Sequence, residues 1–235
     1  FTQSAPGPYA RTVAAYSKLA LRASDDHARF IEPANAGDLI VRDGWRAVYR
    51  SPAKLDAAVS TAERLKREYG VPSKALTSDE LAASEPALKS RLAGAVHWTS
   101  PWTCRDPGDL VSRYAALFVA RGGKVAQGDA MSLQQTGTGW RVLSEGGDIT
   151  AENAVVALGP WSPMLVARFG YRVPMVLKRG YHWHFGGKDG PRISMLDIDS
   201  SALIAPMNAG WRVLTGAHLA PLGAAPSSRQ IRHAV

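Results

Sequence analysis

The chain has 235 residues, enough for one large domain or two smaller ones with a sizeable buried core. It is 46% hydrophobic and 20% charged, an ordinary globular mix, and Gly, Pro or a charge breaks every apolar run before it could span a bilayer. The net charge of +8 comes from basic residues standing singly or in pairs, without the basic stripe and interleaved aromatics of a nucleic-acid binder.

A solvated basic surface follows from that dispersion, with an anionic ligand or a membrane surface as the alternative partner. Cys104 is the single cysteine, so no internal disulfide is expected and a reducing, cytoplasmic setting fits. The chain opens on Phe1 with no basic-then-apolar leader, which suggests a start inside a longer gene product.

Val13, Tyr16, Leu19 and Ala20 recur at helical spacing and predict a helix from Tyr9 to about Arg22. Asp38–Arg42 and Trp45–Arg50 flank Asp43-Gly44, the residue pair of a tight type I′ turn, and predict a hairpin. Pro52 opens a helix that runs to Tyr69 and stops at Gly70. Thr77 and Glu80 form a capping box for a short helix, Ser78–Ala83. Leu92–Trp98 reads as a strand. Asp106-Pro107 caps a helix with Leu110, Tyr114, Leu117 and Phe118 on one face, closed by Gly122-Gly123.

From there the pattern is mostly β. Lys124–Gln127, Ala130–Gln135, Trp140–Ser144, Asp148–Thr150 and Asn153–Ala157 read as strands, the last as a buried one. Gly159-Pro160 then leads into a helix over Ser162–Phe169. Met175–Phe185, Ile193–Asp197, Ser201–Pro206 and Trp211–Gly216 read as longer strands, with a turn at Asn208-Ala209-Gly210 and an irregular tail from Pro221. Helices first, then mixed elements, then antiparallel strands indicate an α+β fold.

No self-contained active site stands out. Metal-ligand spacing, GxSxG and a P-loop are all missing from the sequence. Phe185-Gly186-Gly187-Lys188-Asp189-Gly190 looks like a phosphate loop, but Pro191 follows it instead of a helix, so it reads as a surface turn. The most informative stretch is Ile149 to Ser162, where an apolar strand passes through Gly159 straight into a helix. Such a junction lets backbone amides approach a phosphate closely.

That stretch resembles the late nucleotide-contact motif "adxVVxAxGxWs" of the FAD-dependent D-amino-acid oxidase superfamily. Asp106–Leu110 through Arg121–Val125 resembles the helix and strand that precede the motif there. Val173–Tyr181 resembles its "PvxPxrGy" strand, and Val213–His218 the strand near the flavin ring. The order holds over residues 10–220. D-amino-acid dehydrogenases look closest, through the Arg42–Arg50 stretch and Ser84-Glu85-Pro86-Ala87-Leu88, with glycine and sarcosine oxidases next.

The resemblance implies part of an FAD-dependent α/β oxidoreductase. Residues 1–100 would be helices and hairpin of the substrate domain, 101–170 part of the FAD-binding domain, and 171–235 the antiparallel sheet of the substrate domain. It also implies oxidation of a small amine or amino acid by hydride transfer to FAD, with oxygen or a quinone as final acceptor. The implied setting is cytoplasmic or peripheral on the inner membrane. Cofactor contacts would fall on Ala130, Met131, Ala157, Gly159, Trp161 and Gly180. Arg50, Tyr181, Ile204 and Met207 would meet the substrate, and His218 would be the catalytic group beside the flavin.

Each of these residues has a plainer reading. Gly159 can be a helix-opening glycine, Arg50 a surface ion-pair residue and His218 a packed histidine. Two departures stand against the family pattern: the N-terminal GxGxxG and the C-terminal "GxRPxTPDxxPxIG" are not present, so weak FAD binding by this chain alone is expected. His218 also replaces the usual glutamate. A non-catalytic subunit that needs a partner for FAD, or a basic anion- or nucleic-acid-binding protein, are the rival readings.

Overall fold

The computed structural model of the chain describes residues 5–234. Two compact units emerge, one from Phe1–Leu117, His182–Thr215 and Arg229–Val235, the other from Phe118–Tyr181 and Gly216–Ser228. These boundaries differ from the sequence-based divisions at 100 and 170. The elements are mixed, helices with mainly antiparallel sheets, and the fold is α+β.

The first unit is built on a seven-stranded sheet. Its strands are β2 (Trp45–Tyr49), β3 (Ser73–Thr77), β4 (Gly94–Trp98), β10 (His182–Phe185), β11 (Ser194–Asp197), β12 (Ala202–Met207) and β13 (Gly210–Leu214), in the order β10-β13-β12-β11-β2-β4-β3. Every pairing is antiparallel except the central one between β2 and β11.

Strand alternation splits β2 between two cores. Val48 packs with Leu81, Leu92, Ala95 and Met195 on the side of α4 (Ser78–Ser84). Ala47 and Tyr49 pack with Ala62 of α3 (Pro52–Tyr69) and Val96. Each large apolar side chain buried this way contributes roughly 1.5–3 kcal/mol. Arg46 lies on the α4 side, where its Nη1 donates to Glu85 at 2.7 Å.

The expected local signals hold where they are self-contained. Gly70 closes α3 in the left-handed region at φ 67°. The Thr77–Glu80 capping box forms with both reciprocal bonds. Asp106 accepts from the Asp109 amide at 3.0 Å and caps α5 (Pro107–Ala120). The first helix, α1, covers Pro6–Ala20 and buries none of its residues. A second one, α2 (Ala23–Ile31), was not foreseen; it is held by buried Ile31.

The Asp43-Gly44 hairpin does not form. β1 (Ile40–Val41) pairs instead with β5 (Thr103–Cys104), while β2 lies between β4 and β11. Trp45–Tyr49 is shielded on both faces, so it takes a central place with two ladder neighbours.

The second unit holds a three-stranded antiparallel meander: β6 (Gly128–Thr136), β7 (Gly139–Ser144) and β8 (Gly147–Ala151). Lys124–Gln127 and Asn153–Ala157, expected as strands, have no ladder partner among the described residues. Val155 is 91% exposed, against the expected buried strand. Apolar sequence alone does not hold a strand without a neighbour. The expected Met175–Phe185 strand is broken into β9 (Lys178–Arg179) and β10, and β9 pairs with β14 (His218–Leu219). A short helix, α7 (Arg229–Ala234), closes the tail that was expected to be irregular.

An ion-pair patch in the first unit gives its stability a pH signature. Burial alone would raise the Asp197 carboxyl, but hydrogen bonds from Arg50 and from the Ser200 and Asp199 amides outweigh it and hold it below the usual range. Asp199 is lowered by its bond from Lys54 and by the Arg50 amide. A depressed carboxylate stabilises the fold fully above its unfolded value and loses that contribution as pH falls through its folded one. Urea midpoints are therefore expected to drop as pH is taken below about 4, and less steeply in Asp197→Asn. A variant with the parent's slope would show that the patch is not the cause.

Candidate functional site

In the second unit the expected strand–Gly–helix junction is half present. Its helical side forms: a 3-10 turn covers Gly159–Trp161 and leads into α6 (Ser162–Val166). The segment before it has no regular secondary structure and is mostly exposed. Gly159 has φ +53°, and a Cβ there would meet nothing within 4 Å. Gly180, beside β9, is equally open. Both leave bare, accessible backbone that a flat or anionic group can approach.

The remaining cofactor candidates lie in the same unit. Ala130 and Met131 sit on β6, and the Met131 carbonyl accepts from Arg168 in the turn after α6. Trp140 of β7 meets Phe169 edge-to-face at 5.0 Å, which ties that turn to the meander. Ala157 and Trp161 are exposed, Trp161 at 54%.

His218 is placed differently from the expectation. Strand β13 ends at Leu214, so His218 does not continue the strand of Val213 as the resemblance implied. The histidine instead begins β14, opposite Arg179. Its Nδ1 lies 3.1 Å from the Tyr181 hydroxyl, with the rings stacked at 6.1 Å. The Ser227 amide donates to the same hydroxyl at 3.0 Å. With Nδ1 engaged, any exchange with a ligand falls to Nε2. Two site candidates that sequence reading had kept apart, Tyr181 and His218, thus form one pair.

In the first unit Arg50 and Ile204 line one pocket of about 210 Å³, with Val48, Lys89, Met195 and Asp197. Arg50 Nη2 donates to Asp197 at 2.7 Å, so part of its charge is already matched. Asp197 and Lys89 were missed in the sequence, because nothing local marks residues that meet Arg50 only through β11 and the loop after α4. Met207 does not join them. It lies three residues from Ile204 on β12 and so points to the opposite face.

Among the described residues no group of three or more His, Cys, Asp and Glu could hold a metal ion. None of the described helices is long and apolar enough to cross a membrane. The open backbone at Gly159 and Gly180 fits contact with a dinucleotide cofactor, and the exposed run before Gly159 leaves room for it.

Comparison with known proteins bears on the family of the chain as a whole. The family model described as "FAD dependent oxidoreductase" (DAO) matches residues 3–233. A D-amino-acid oxidase of Bradyrhizobium diazoefficiens is 32% identical over 203 residues, 86% of this chain and 48% of that protein. A D-amino acid dehydrogenase of Cereibacter sphaeroides is 32% identical over 189 residues, covering 74% of this chain and 41% of that protein. The chain thus spans about half the length of these curated relatives. In structure it is similar to the glycine oxidase of Geobacillus kaustophilus, with TM-score 0.67 and 18% identity over 100% of this chain and 62% of that one. It is also similar to an iminodiacetate oxidase from Chelativorans, with TM-score 0.66 and 21% identity over 96% and 60%. The chain belongs to the DAO family of FAD-dependent oxidoreductases.

Proposed function

We propose that the complete protein oxidises a small amino acid or amine, D-amino acids foremost, and that this chain supplies much of its substrate side and one edge of its FAD site. The observation that carries the substrate class is the match to a D-amino-acid oxidase over 86% of the chain. FAD, when bound, supplies the acceptor for hydride transfer from the substrate C–H bond.

The chain's own residues divide the remaining work. Gly159 lets the backbone come close to the cofactor without a Cβ in the way, and Gly180 does the same beside β9. Ala130, Met131, Ala157 and Trp161, in the same unit, would add further cofactor contacts. His218 offers Nε2 as a hydrogen-bond donor or proton carrier, with the ring held through Nδ1 by Tyr181. In the first unit Arg50 and Lys89 supply positive charge for a substrate carboxylate, beside the apolar walls of Ile204 and Met195. Oxygen or a quinone would take the electrons onward, and a basic surface permits contact with an anionic membrane.

Anaerobic mixing of the complete protein with D-alanine, D-proline, glycine and sarcosine tests the reading. Bleaching of the flavin absorbance by at least one D-amino acid is the expected result. His218→Ala is expected to slow that bleaching about tenfold, at the low edge of acid–base and electrostatic contributions, with flavin content unchanged. If none of the four reduces the flavin, the substrate class is wrong. Should His218→Ala keep the parent rate, the histidine is a packing residue.

A further inference from the structure

The face of the seven-stranded sheet opposite the Arg50 pocket carries a guanidinium and two imidazoles on neighbouring strands. Arg212 of β13 stands between His184 on β10, the outermost strand, and Ala205 on β12. Its Nε donates to His184 Nε2 at 3.0 Å. The His182 ring meets the His184 ring edge-on, with centroids 5.2 Å apart. Alternation puts Leu203 and Met207 on the same face, two residues to either side of Ala205. Met207, which the Arg50 pocket leaves out, thus belongs to this side.

Two features decide what this face can take. The first is charge. Among the described residues Arg212 makes no ion pair, and its bond to His184 uses Nε alone. β12 adds only Leu203, Ala205 and Met207 here, and α7, packed against β13, brings Arg229 and Arg232 but no carboxylate. Desolvation, then the Arg212 charge, then His182 hold the His184 imidazole below its usual range, so it stays neutral and accepts from Arg212. The second feature is shape. With Nε engaged, the two Nη groups form a planar fork that matches two oxygens on one carbon. Leu203 and Met207 suit a hydrocarbon tail and disfavour a strongly hydrated dianion such as phosphate. Ala205 is the small residue between them.

We propose that Arg212, His182 and His184 bind a small carboxylate with a short apolar tail, the oxygens on the guanidinium fork and the tail over Ala205 between Leu203 and Met207. The site stands apart from the flavin reading, which gives none of the three binding residues a part. A bound anion offsets the positive charge that keeps His184 neutral. Once protonated, the imidazole stops accepting from Arg212 and becomes a donor to the anion. Binding therefore takes up a proton and tightens as pH falls.

Butyrate, acetate and inorganic phosphate are the probes, titrated into the complete protein at an ionic strength held constant with sodium chloride. The imidazole resonances of His182 and His184 are followed. Butyrate is expected to shift both saturably and to bind about threefold or more tighter than acetate, the effect of partly covered methylenes. It should bind about threefold tighter at about pH 6 than at about pH 7.5, and phosphate should bind more weakly than butyrate. Arg212→Gln should abolish the shifts, and an unchanged spectrum elsewhere shows that this variant folds. His184→Gln, whose amide oxygen can still accept from Arg212, should keep binding but lose the pH dependence. Shifts no larger than sodium chloride alone produces would overturn the proposal. Acetate or phosphate binding as tightly as butyrate, undiminished binding in a folded Arg212→Gln, or a surviving pH dependence in His184→Gln would overturn it equally.

Discussion

Glu85→Ala is expected to destabilise the first unit by about 3–5 kcal/mol, the usual result of removing one partner of a buried ion pair. Glu85 is only 1% exposed and Arg46 9%. The carboxylate accepts from Arg46 Nη1 at 2.7 Å and from the Arg192 amide at 2.9 Å, so one side chain serves two donors from distant segments. Burial pulls the Arg46 guanidinium down from its ordinary value, the Glu85 charge pushes it back up, and Arg192 adds to the lowering. Its Nε already lacks a partner among the described residues. Without Glu85 the guanidinium would stay in an apolar core with no counter-charge.

The loss compares with a total stability of about 5–15 kcal/mol for an ordinary domain, so much of the protein would be unfolded at modest urea. Glu85→Gln should lose less, because an amide oxygen still accepts from the Arg192 amide. Urea unfolding at neutral pH decides between these outcomes. A change below about 1 kcal/mol in Glu85→Ala would mean that water reaches the pair and that its burial is not energetically felt.

Gly44→Ala is expected to cost about 3 kcal/mol or more, combining a left-handed backbone with a steric collision. Gly44 has φ +71°, and a Cβ would lie 1.9 Å from the Trp98 carbonyl oxygen and 2.9 Å from the Thr99 Cα. The obstacle is backbone, so relief requires β2 and β4 to separate where Trp45 faces Trp98. Gly70 provides the comparison. It has φ +67°, but nothing lies within 4 Å of its Cβ position. Gly70→Ala should therefore show only the conformational part, about 1–2 kcal/mol. Equal losses at the two positions, measured by urea unfolding, would show that the close approach to Trp98 relaxes freely.

These two glycines also mark how far the sequence could be read. Gly70 follows a helix with its last apolar turn in place, and its role as a stop was legible because the signal is local. Gly44 was read as half of a turn pair, since Asp-Gly between apolar runs is the hairpin signature. The deciding fact is not local: Trp45–Tyr49 is buried on both faces and takes β4 and β11 as its neighbours. The capping box at Thr77 and the Asp106 cap were legible for the same reason as Gly70, because each closes within three residues.

The candidate site follows the same division. Gly159 was visible as a junction, and the helix after it is there, but the apolar run before it lies exposed with no strand to join. His218 was read as part of one strand with Val213, but β13 stops at Leu214 and the histidine belongs to a different sheet. Its partner Tyr181 is 37 residues away, and Asp197 is 147 residues from Arg50. Pairings at such separations are set by topology, which residue spacing does not encode.

The parallel pairing of β2 with β11 has a consequence for synthesis. The ribosome releases β2 long before β11, with the whole second unit's first segment in between. Arg50 and Asp197, at the end of that pairing, are 147 residues apart, which corresponds to roughly 7–30 s of elongation at about 5–20 residues per second. Once β4 has emerged, the apolar edge of β2 has β4 on one side and, until β11 is made, nothing on the other. The nascent chain therefore carries a sticky, half-finished sheet, and that sheet closes only after Phe118–Tyr181 of the second unit has been made. A chaperone that covers exposed strand edges should find its main binding window there, between the emergence of β4 and that of β11.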